Sequence, residues 1–290
     1  MKGKTVVITG ANQGIGKASA VALGSMGARL VLVCRNEEKA KAAIADIERA
    51  GAKDVMLIVG DVSSQKDLRR VAAEIGRKVD KLDVLLNNAG VLVPSRRTTV
   101  DGIEETFAIN HLGYFLLTKL LREQLEKSGP SRVVSVSSEA HRRGKMNWDD
   151  LQYERERYSA MAVYSQSKLA NILFTKELAR RLAGTKVTAN CLHPGVIASG
   201  FGSTYGGVFK FLVTLARPFL ASTEDGAKTQ IHLCSSPDVE GITGEYWDKC
   251  KIARPTRLAQ SAEDAKRLWD ISEEMIAKSE VTTAASTATI

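Results

Sequence analysis

Tyr164 and Lys168 stand one helical turn apart in the run Tyr164-Ser165-Gln166-Ser167-Lys168, which sets a phenol and an ammonium on one helix face. An unperturbed tyrosine, with a pKa of ~10, is a poor proton donor or base at neutral pH. A cation held beside it favours the phenolate and draws the pKa toward the working range. The two residues are therefore a candidate proton-handling couple. The same spacing also occurs on ordinary helices, with the ring in the core and the amine in water, so the chemistry depends on what else the chain brings to the same place.

A second signature lies near the N-terminus. Lys4 to Thr9 is a short, apolar, β-branched run, followed by Gly10-Ala11-Asn12-Gln13-Gly14-Ile15-Gly16 and an Ala-rich helical stretch to about Gly27. Strand, glycine turn and helix in this order suit a pyrophosphate. The glycines let the backbone come close, and the free N–H groups and positive dipole of the helix start favour its charge. The spacing is GxxxGxG rather than the GxGxxG of the dinucleotide fingerprint, and its position after the first strand is what favours a nucleotide over a plain turn. A second strand, Arg29 to Val33, leads into Cys34-Arg35-Asn36, where an NAD-preferring site usually carries an acid for the ribose 2′-OH. Arg35 instead offers a guanidinium fork suited to a 2′-phosphate, and Lys17 a second charge. The expected cofactor is NADP(H) rather than NAD.

The elements that position these groups alternate strand with helix. Val55 to Val59 gives a third strand ending at Gly60-Asp61-Val62, and Ser63 or Ser64 caps a helix to about Val79. Asp61 lies at a strand's carboxyl end, where an adenine contact is expected. Leu82 to Leu86 runs into Asn87-Asn88-Ala89-Gly90, whose amides and glycine are placed to line the cofactor. Ile103 to Glu126 reads as one long amphipathic helix with Asn110 among its apolar residues. An interior helical Asn needs a reason: a polar group satisfied in the core, or a bend that presents a carbonyl to a water chain. Arg132 to Val136 is a fifth strand, ending at Ser137-Ser138.

A charged excursion, Glu139 to Arg157, precedes the helix of Tyr164, which continues to about Ala183. Lys186 to Asn190 is a sixth strand, and Cys191-Leu192-His193-Pro194-Gly195 a rigid turn beside the same crevice. Gly200 to Gly207 reads as a mobile loop and Val208 to Leu220 as an apolar lid, so that about 197–222 covers an apolar substrate. Thr223 caps a further helix, Gly244 to Trp247 forms a last strand, and Ala262 to Ile276 a terminal helix; 281–290 is expected to be a flexible tail. The whole predicts an α/β fold over 1–280, a single-domain, Rossmann-type doubly wound parallel sheet flanked by helices.

Composition narrows the function classes. With 290 residues and 44% hydrophobic content the chain can bury a sizeable core. The formal charge of +8 is spread over helix surfaces without a nucleic-acid motif, so no nucleic-acid partner is expected, and an anionic cofactor accounts for a modest basic excess. Cys34, Cys191, Cys234 and Cys250 have no framework spacing and read as free thiols. The four histidines make no metal-ligand pattern, so no metal is expected. No signal segment or transmembrane run stands out, and the expected location is cytoplasmic.

Taken in order, Thr9-Gly10-Ala11-Asn12-Gln13-Gly14-Ile15-Gly16 (TGxxxGIG), Asn87-Asn88-Ala89-Gly90 (NNAG), Asn110, Ser138, Tyr164 with Lys168 (YxxxK) and Pro194-Gly195 resemble the short-chain dehydrogenase/reductase family over nearly the whole chain. Asn110-His111-Leu112-Gly113, the long insertion between Ser138 and Tyr164, Ser167-Lys168-Leu169-Ala170-Asn171 and Arg267-Leu268-Trp269 resemble its retinol dehydrogenase branch, which includes the WW-domain oxidoreductase. The resemblance implies hydride transfer between nicotinamide and the carbonyl or alcohol carbon of a small lipophilic substrate, a retinal-like molecule, aldehyde or ketone. It implies Tyr164 as proton donor or acceptor and Ser138 as hydrogen-bond donor to the substrate oxygen. Lys168 would bind the nicotinamide ribose and lower the Tyr164 pKa, and Asn110 would position a water that links Lys168 to solvent. Gly10, Asn12, Gln13, Gly14, Ile15, Gly16, Arg35, Asp61, Val62, Asn88, Ala89, Gly90, Pro194 and Gly195 would complete the NADP(H) site. Membrane residence and retinoid specificity do not follow from it, and assembly as a homodimer or homotetramer stays open. The alternative is a catalytically silent NADP-binding sensor or scaffold, which would need only the glycine turn.

Overall fold

Strands buried on both faces read as unbroken apolar runs, because helices cover each side of the sheet they belong to. The computed structural model describes residues 1–195 and 222–287, with side chains through Lys278. Largely apolar segments form β1 (Thr5–Thr9), β2 (Arg29–Cys34), β3 (Val55–Val59), β4 (Val84–Asn87), β5 (Ser131–Val136) and β6 (Val187–His193), joined by β7 (Tyr246–Asp248) and β8 (Lys251–Ile252). Their order is β3-β2-β1-β4-β5-β6-β7-β8. β3 through β7 pair in parallel, and β8 returns antiparallel to β7. Strand order reverses between β1 and β4, and the crevice that such a reversal opens at the strands' carboxyl ends is where α/β sheets bind ligands.

The helices are α1 (Gly14–Ser25), α2 (Glu37–Arg49), α3 (Gln65–Lys78), α4 (Glu105–Phe107), α5 (Gly113–Lys127), α6 (Ala160–Arg181), α7 (Thr223–Ser235) and α8 (Ala262–Thr287). Alternate residues of one strand serve opposite layers. Val7, Val31, Leu85 and Val133 pack with Leu68 and Ile75 of α3, Phe115 and Leu121 of α5, and Phe174 of α6. Val6, Ile8, Leu30 and Leu32 pack with Leu23 of α1, Ile47 of α2 and Leu233 of α7. Each such side chain contributes about 1.5–3 kcal/mol when fully buried. Among the described residues no helix is long and apolar enough to cross a membrane.

Several expectations need correction. The helix expected as one piece over Ile103 to Glu126 is broken: α4 passes into a π turn, Ala108–Leu112, before α5 begins. The expected turn from Cys191 is still strand through His193, because Cys191, Leu192 and His193 pair with Tyr246, Trp247 and Asp248. The last strand is half of a hairpin whose turn residues Lys249 and Cys250 have φ of 49° and 60°. A turn with both central residues in the left-handed region usually carries Asn or Gly, so the sequence gives no sign of it. Ser222 rather than Thr223 caps α7, accepting from the Asp225 N–H at 3.0 Å. α8 continues to Thr287, past the expected end at Ile276, because no Gly or Pro intervenes to stop it. The proposed loop and lid, 200–220, lie outside the described residues.

Candidate active site

The glycine turn is built for a close approach. Gly10 and Gly14 sit at φ of 70° and 55°, a region costly for residues with a Cβ. A Cβ on Gly16 would stand 2.4 Å from Asn88 Nδ2 and 2.5 Å from the Gly10 carbonyl oxygen. α1 then begins behind Gln13 with no side chain capping its first N–H groups, whereas Asn36 and Ser64 cap α2 and α3. Uncapped donors at a helix start, beside a backbone stripped of side chains, fit the pyrophosphate of a dinucleotide. Gln230 of α7 holds that start in place, donating to the Ile15 carbonyl at 2.9 Å and to Ser19 Oγ at 2.6 Å.

β4 delivers the next wall. Thr9 Oγ1 accepts the Asn88 and Ala89 N–H groups, each at 3.0 Å, and Asn88 Nδ2 donates to the Thr9 carbonyl at 2.8 Å and to that of Gly10 at 3.3 Å. The Asn88–Gly90 turn is thereby fastened to the glycine turn across the switch point. Thr9, the first letter of the glycine motif, is the latch, a role its position beside Gly10 did not reveal.

Farther along the crevice Asn110 lies in the π turn, fully buried. Its Oδ1 accepts from the Val91 N–H at 2.8 Å, and its Nδ2 donates to the Val91 carbonyl and to Ser167 Oγ, both at 2.9 Å. The first reading offered for an interior Asn holds, since the amide is satisfied in the core, and the helix is deformed around it. A widened turn frees backbone carbonyls from the α-helical ladder, and such insertions cluster at functional sites. Gly90 separates the groups that follow, since a Cβ there would meet Asn110 Oδ1 at 3.4 Å and Lys168 Nζ at 3.5 Å.

α6 carries the couple. Lys168 Nζ lies 5.6 Å from the centroid of the Tyr164 ring, and donates to the Val136 carbonyl at 3.0 Å. Asn171 Nδ2 donates to that same carbonyl at 3.0 Å, and Ser137 Oγ donates to the Lys168 carbonyl at 2.7 Å, so the end of β5 and the middle of α6 are locked together. Lys168 is 2% exposed, and burial pulls its pKa down to about 7. An ammonium in this place is poised between its charged and neutral forms near neutral pH. Tyr164 is half-buried.

Ser138 follows Ser137 into a turn held by two histidines. His141 Nδ1–H donates to the Ser138 carbonyl at 2.7 Å, and His193 Nδ1, at the end of β6, accepts the Glu139 N–H at 3.1 Å. Burial lowers both imidazole pKa values, which keeps them neutral for these bonds. Pro194 and Gly195, the latter at φ 84°, close the described wall of the crevice.

The adenosine end is less tightly drawn. Arg35 is 66% exposed at the end of β2, and its Nη1 lies 3.5 Å from Asp61 Oδ2. Asp61 Oδ1 meanwhile accepts from the Ser63 N–H and hydroxyl at 2.9 and 2.7 Å, so part of this acid serves its own turn. The Val62 carbonyl packs over Gly113, where a Cβ would come within 2.9 Å. Lys17, expected as a second cation for a phosphate, is paired with Asp46 of α2. Asn36 is occupied too, accepting the Lys39 N–H at 2.8 Å as the α2 cap. Among the described residues Arg35 is thus an exposed cation at the end of β2, beside Asp61.

The sequence pattern described as short chain dehydrogenase matches residues 4–205. Mouse retinol dehydrogenase 14 is 43% identical, with 95% of this chain and 86% of that protein covered. Mouse retinol dehydrogenase 12 is 44% identical, with 94% and 86% covered. A crystal structure from Mycobacterium paratuberculosis superposes with a TM-score of 0.77 at 34% identity, covering 95% of this chain and 94% of that one. A short chain dehydrogenase from Burkholderia cenocepacia, solved in complex with NADP, superposes at 0.68 with 25% identity, covering 84% and 95%.

Proposed function

The chain belongs to the short-chain dehydrogenase family, in its retinol dehydrogenase branch, and on that premise we propose an NADP(H)-dependent oxidoreductase acting on the carbonyl or alcohol carbon of a small, lipophilic substrate. The observation that carries the reading is the buried Lys168 ammonium 5.6 Å from the Tyr164 ring, with Asn110 across Gly90 from it. NADPH supplies the hydride in reduction; this chain's residues hold, orient and exchange the proton.

Gly10, Gly14, Ile15 and Gly16 pass the backbone along the phosphates, with Asn12 and Gln13 at the turn and Asn88, Ala89 and Gly90 opposite. In reduction Tyr164 donates its phenolic proton to the developing alkoxide, and in oxidation it takes the hydroxyl proton. Ser138 hydrogen-bonds the substrate oxygen from the turn that His141 and His193 hold. Lys168 stabilises the phenolate of Tyr164 through its charge, and Asn110 keeps the π turn and Gly90–Val91 in register with it. Support for NADP(H) over NAD is the absence of an acid in Cys34-Arg35-Asn36 and the exposed Arg35 fork. Support for a lipophilic substrate is the likeness to retinol dehydrogenases.

Purified protein incubated with NADPH or NADH and a panel of retinal, long-chain aldehydes, ketones and polar sugars tests all three points. Turnover of the apolar carbonyls with NADPH is expected. Cofactor binding without turnover of any member would contradict the enzyme reading, and a preference for the sugars would contradict the substrate class.

A further inference from the structure

The peptide unit between Ser138 and Glu139 is gripped at both ends by imidazoles. Its carbonyl, that of Ser138, accepts His141 Nδ1–H at 2.7 Å, and its N–H, that of Glu139, donates to His193 Nδ1 at 3.1 Å. A peptide is planar, so holding both of its polar ends fixes the plane, and with it the Ser138 ψ of 157°. The serine side chain leaves the Cα on which that plane turns, so the grip also sets where its hydroxyl stands. Ser138 Oγ accepts the Ala140 N–H at 3.2 Å, which leaves the hydroxyl hydrogen for a substrate oxygen.

The two imidazoles are in opposite tautomers. A carbonyl oxygen only accepts, so His141 carries its proton on Nδ1, and its Nε2 accepts the Thr256 N–H at 3.4 Å. A backbone N–H only donates, so His193 Nδ1 is bare and the proton of that ring sits on Nε2. A second proton on His141 leaves its bond to the Ser138 carbonyl intact. A second proton on His193 instead sets a donor against the Glu139 N–H. His193 is therefore the member of the pair whose protonation opens the grip on the serine peptide.

We propose that His193 is a positioning residue for the reaction: its bare Nδ1 holds the Ser138–Glu139 peptide so that the serine hydroxyl meets the substrate oxygen, and protonation of this imidazole turns the site down on the acid side. The inference rests on the role given above to Ser138 and adds the residue that aims it. His193 ends β6 and is buried. Burial is the largest influence on its charge and lowers its pKa. Asp248, its partner in register on β7, and Glu139 favour the imidazolium, while Arg142 of the turn and Lys249 of the hairpin disfavour it. His141, which faces the same peptide, is also kept neutral by burial. The Tyr164–Lys168 couple does not produce an acid loss in the reducing direction, because it works there from its protonated form, which acid favours.

His193→Asn is the direct test, because its carboxamide oxygen branches from the side chain where Nδ1 does and accepts an N–H without titrating. With NADPH and an aldehyde, wild-type kcat is expected to fall about twofold or more between pH ~7 and pH ~5 at unchanged KM for NADPH. The Asn variant should keep kcat within about threefold of wild type at pH ~7 and lose that acid limb, whereas His193→Leu, which offers no acceptor, should lower kcat about tenfold or more. A flat wild-type profile, an acid limb that persists in the Asn variant, or a folded Asn variant no more active than the Leu variant would overturn the proposal. Nitrogen-15 NMR of the wild-type imidazoles gives a readout independent of turnover. A His193 ring protonated on Nε2 alone and titrating below the ordinary histidine value of ~6.5 supports the assignment, and a ring protonated on Nδ1, or titrating at or above that value, overturns it. If the wild type turns over no carbonyl substrate, the proposed enzyme function falls, while the NMR result still decides the grip on the peptide.

Discussion

Asn110 grips Val91 with both ends of its carboxamide, accepting the Val91 N–H at 2.8 Å and donating to the Val91 carbonyl at 2.9 Å. A side chain here does the work of a neighbouring strand, satisfying both backbone groups of the first residue beyond Gly90. The remaining Nδ2 hydrogen reaches Ser167 Oγ at 2.9 Å, one residue before Lys168. One buried amide therefore links the loop after β4, the π turn and the helix of the Tyr–Lys couple.

Asn110→Asp replaces the donating end by a carboxylate oxygen facing the Val91 carbonyl and Ser167. Loss of two buried donations is expected to cost about 2 kcal/mol or more in urea unfolding, and to lower kcat at least tenfold. A stability loss with unchanged kcat would confine Asn110 to a structural part.

Arg35→Asp restores an acid to the end of β2. The ratio of kcat/KM for NADPH to that for NADH should fall by tenfold or more, the equivalent of about 1.4 kcal/mol in differential binding. An unchanged ratio in steady-state kinetics would remove the argument for NADP(H). Lys17→Ala, by contrast, should leave the ratio within about twofold, because Lys17 is paired with Asp46.

Gly16→Ala places a methyl where 2.4 Å separates it from Asn88 Nδ2 and 2.5 Å from Gly10 O. The glycine turn or the Asn88 latch must move, at a cost of about 1–3 kcal/mol typical of overpacking. Titration of NADPH by fluorescence should show binding weakened at least tenfold, whereas Gly76→Ala, with nothing near its added Cβ, should bind as the wild type does.

Lys168 gives a pH dependence of stability whose sign is set by its depressed pKa. From pH about 7 to the usual lysine value of 10.5, the unfolded chain binds more protons at this residue than the folded one. Folding stability therefore rises with pH across that window, and the cost of burying the ammonium is fully present below it. Lys168→Met should raise Tm near pH 7, remove this component of the rise toward pH 10, and abolish turnover. Thermal melts across the window check the first two, and a Tm that falls at pH 7 would mean that the charged form is better compensated than its burial implies.

Much of this arrangement was legible in the order of the motifs, and the illegible parts share a physical cause. Val55–Val59 could be read to the residue because an unbroken apolar run between a polar turn and a glycine has clear ends. The proximity of Tyr164, Lys168, Asn110 and the glycine turn followed from placing each at a strand's carboxyl end or on the helix beyond it. The π turn showed only as the interior Asn110 that asked for a reason, since the insertion itself answers to contacts of Asn110 with Val91 and Ser167. The length of β6 was hidden for the same reason: His193 is strand because Asp248, far along the chain, pairs with it. Lys17 could be seen as a cation near a phosphate turn, but not as the partner of Asp46 on a different helix. Local pattern carried the elements, and nonlocal pairing decided their ends and the free charges.

Tyr164→Phe tests the central claim most directly, because it deletes the one hydroxyl assigned to proton transfer and leaves the ring against Lys168. NADPH affinity by fluorescence titration should stay within about twofold of wild type while kcat for aldehyde reduction falls by at least the hundredfold that general acid–base catalysis supplies. Wild-type turnover in a variant that binds NADPH normally would contradict the account.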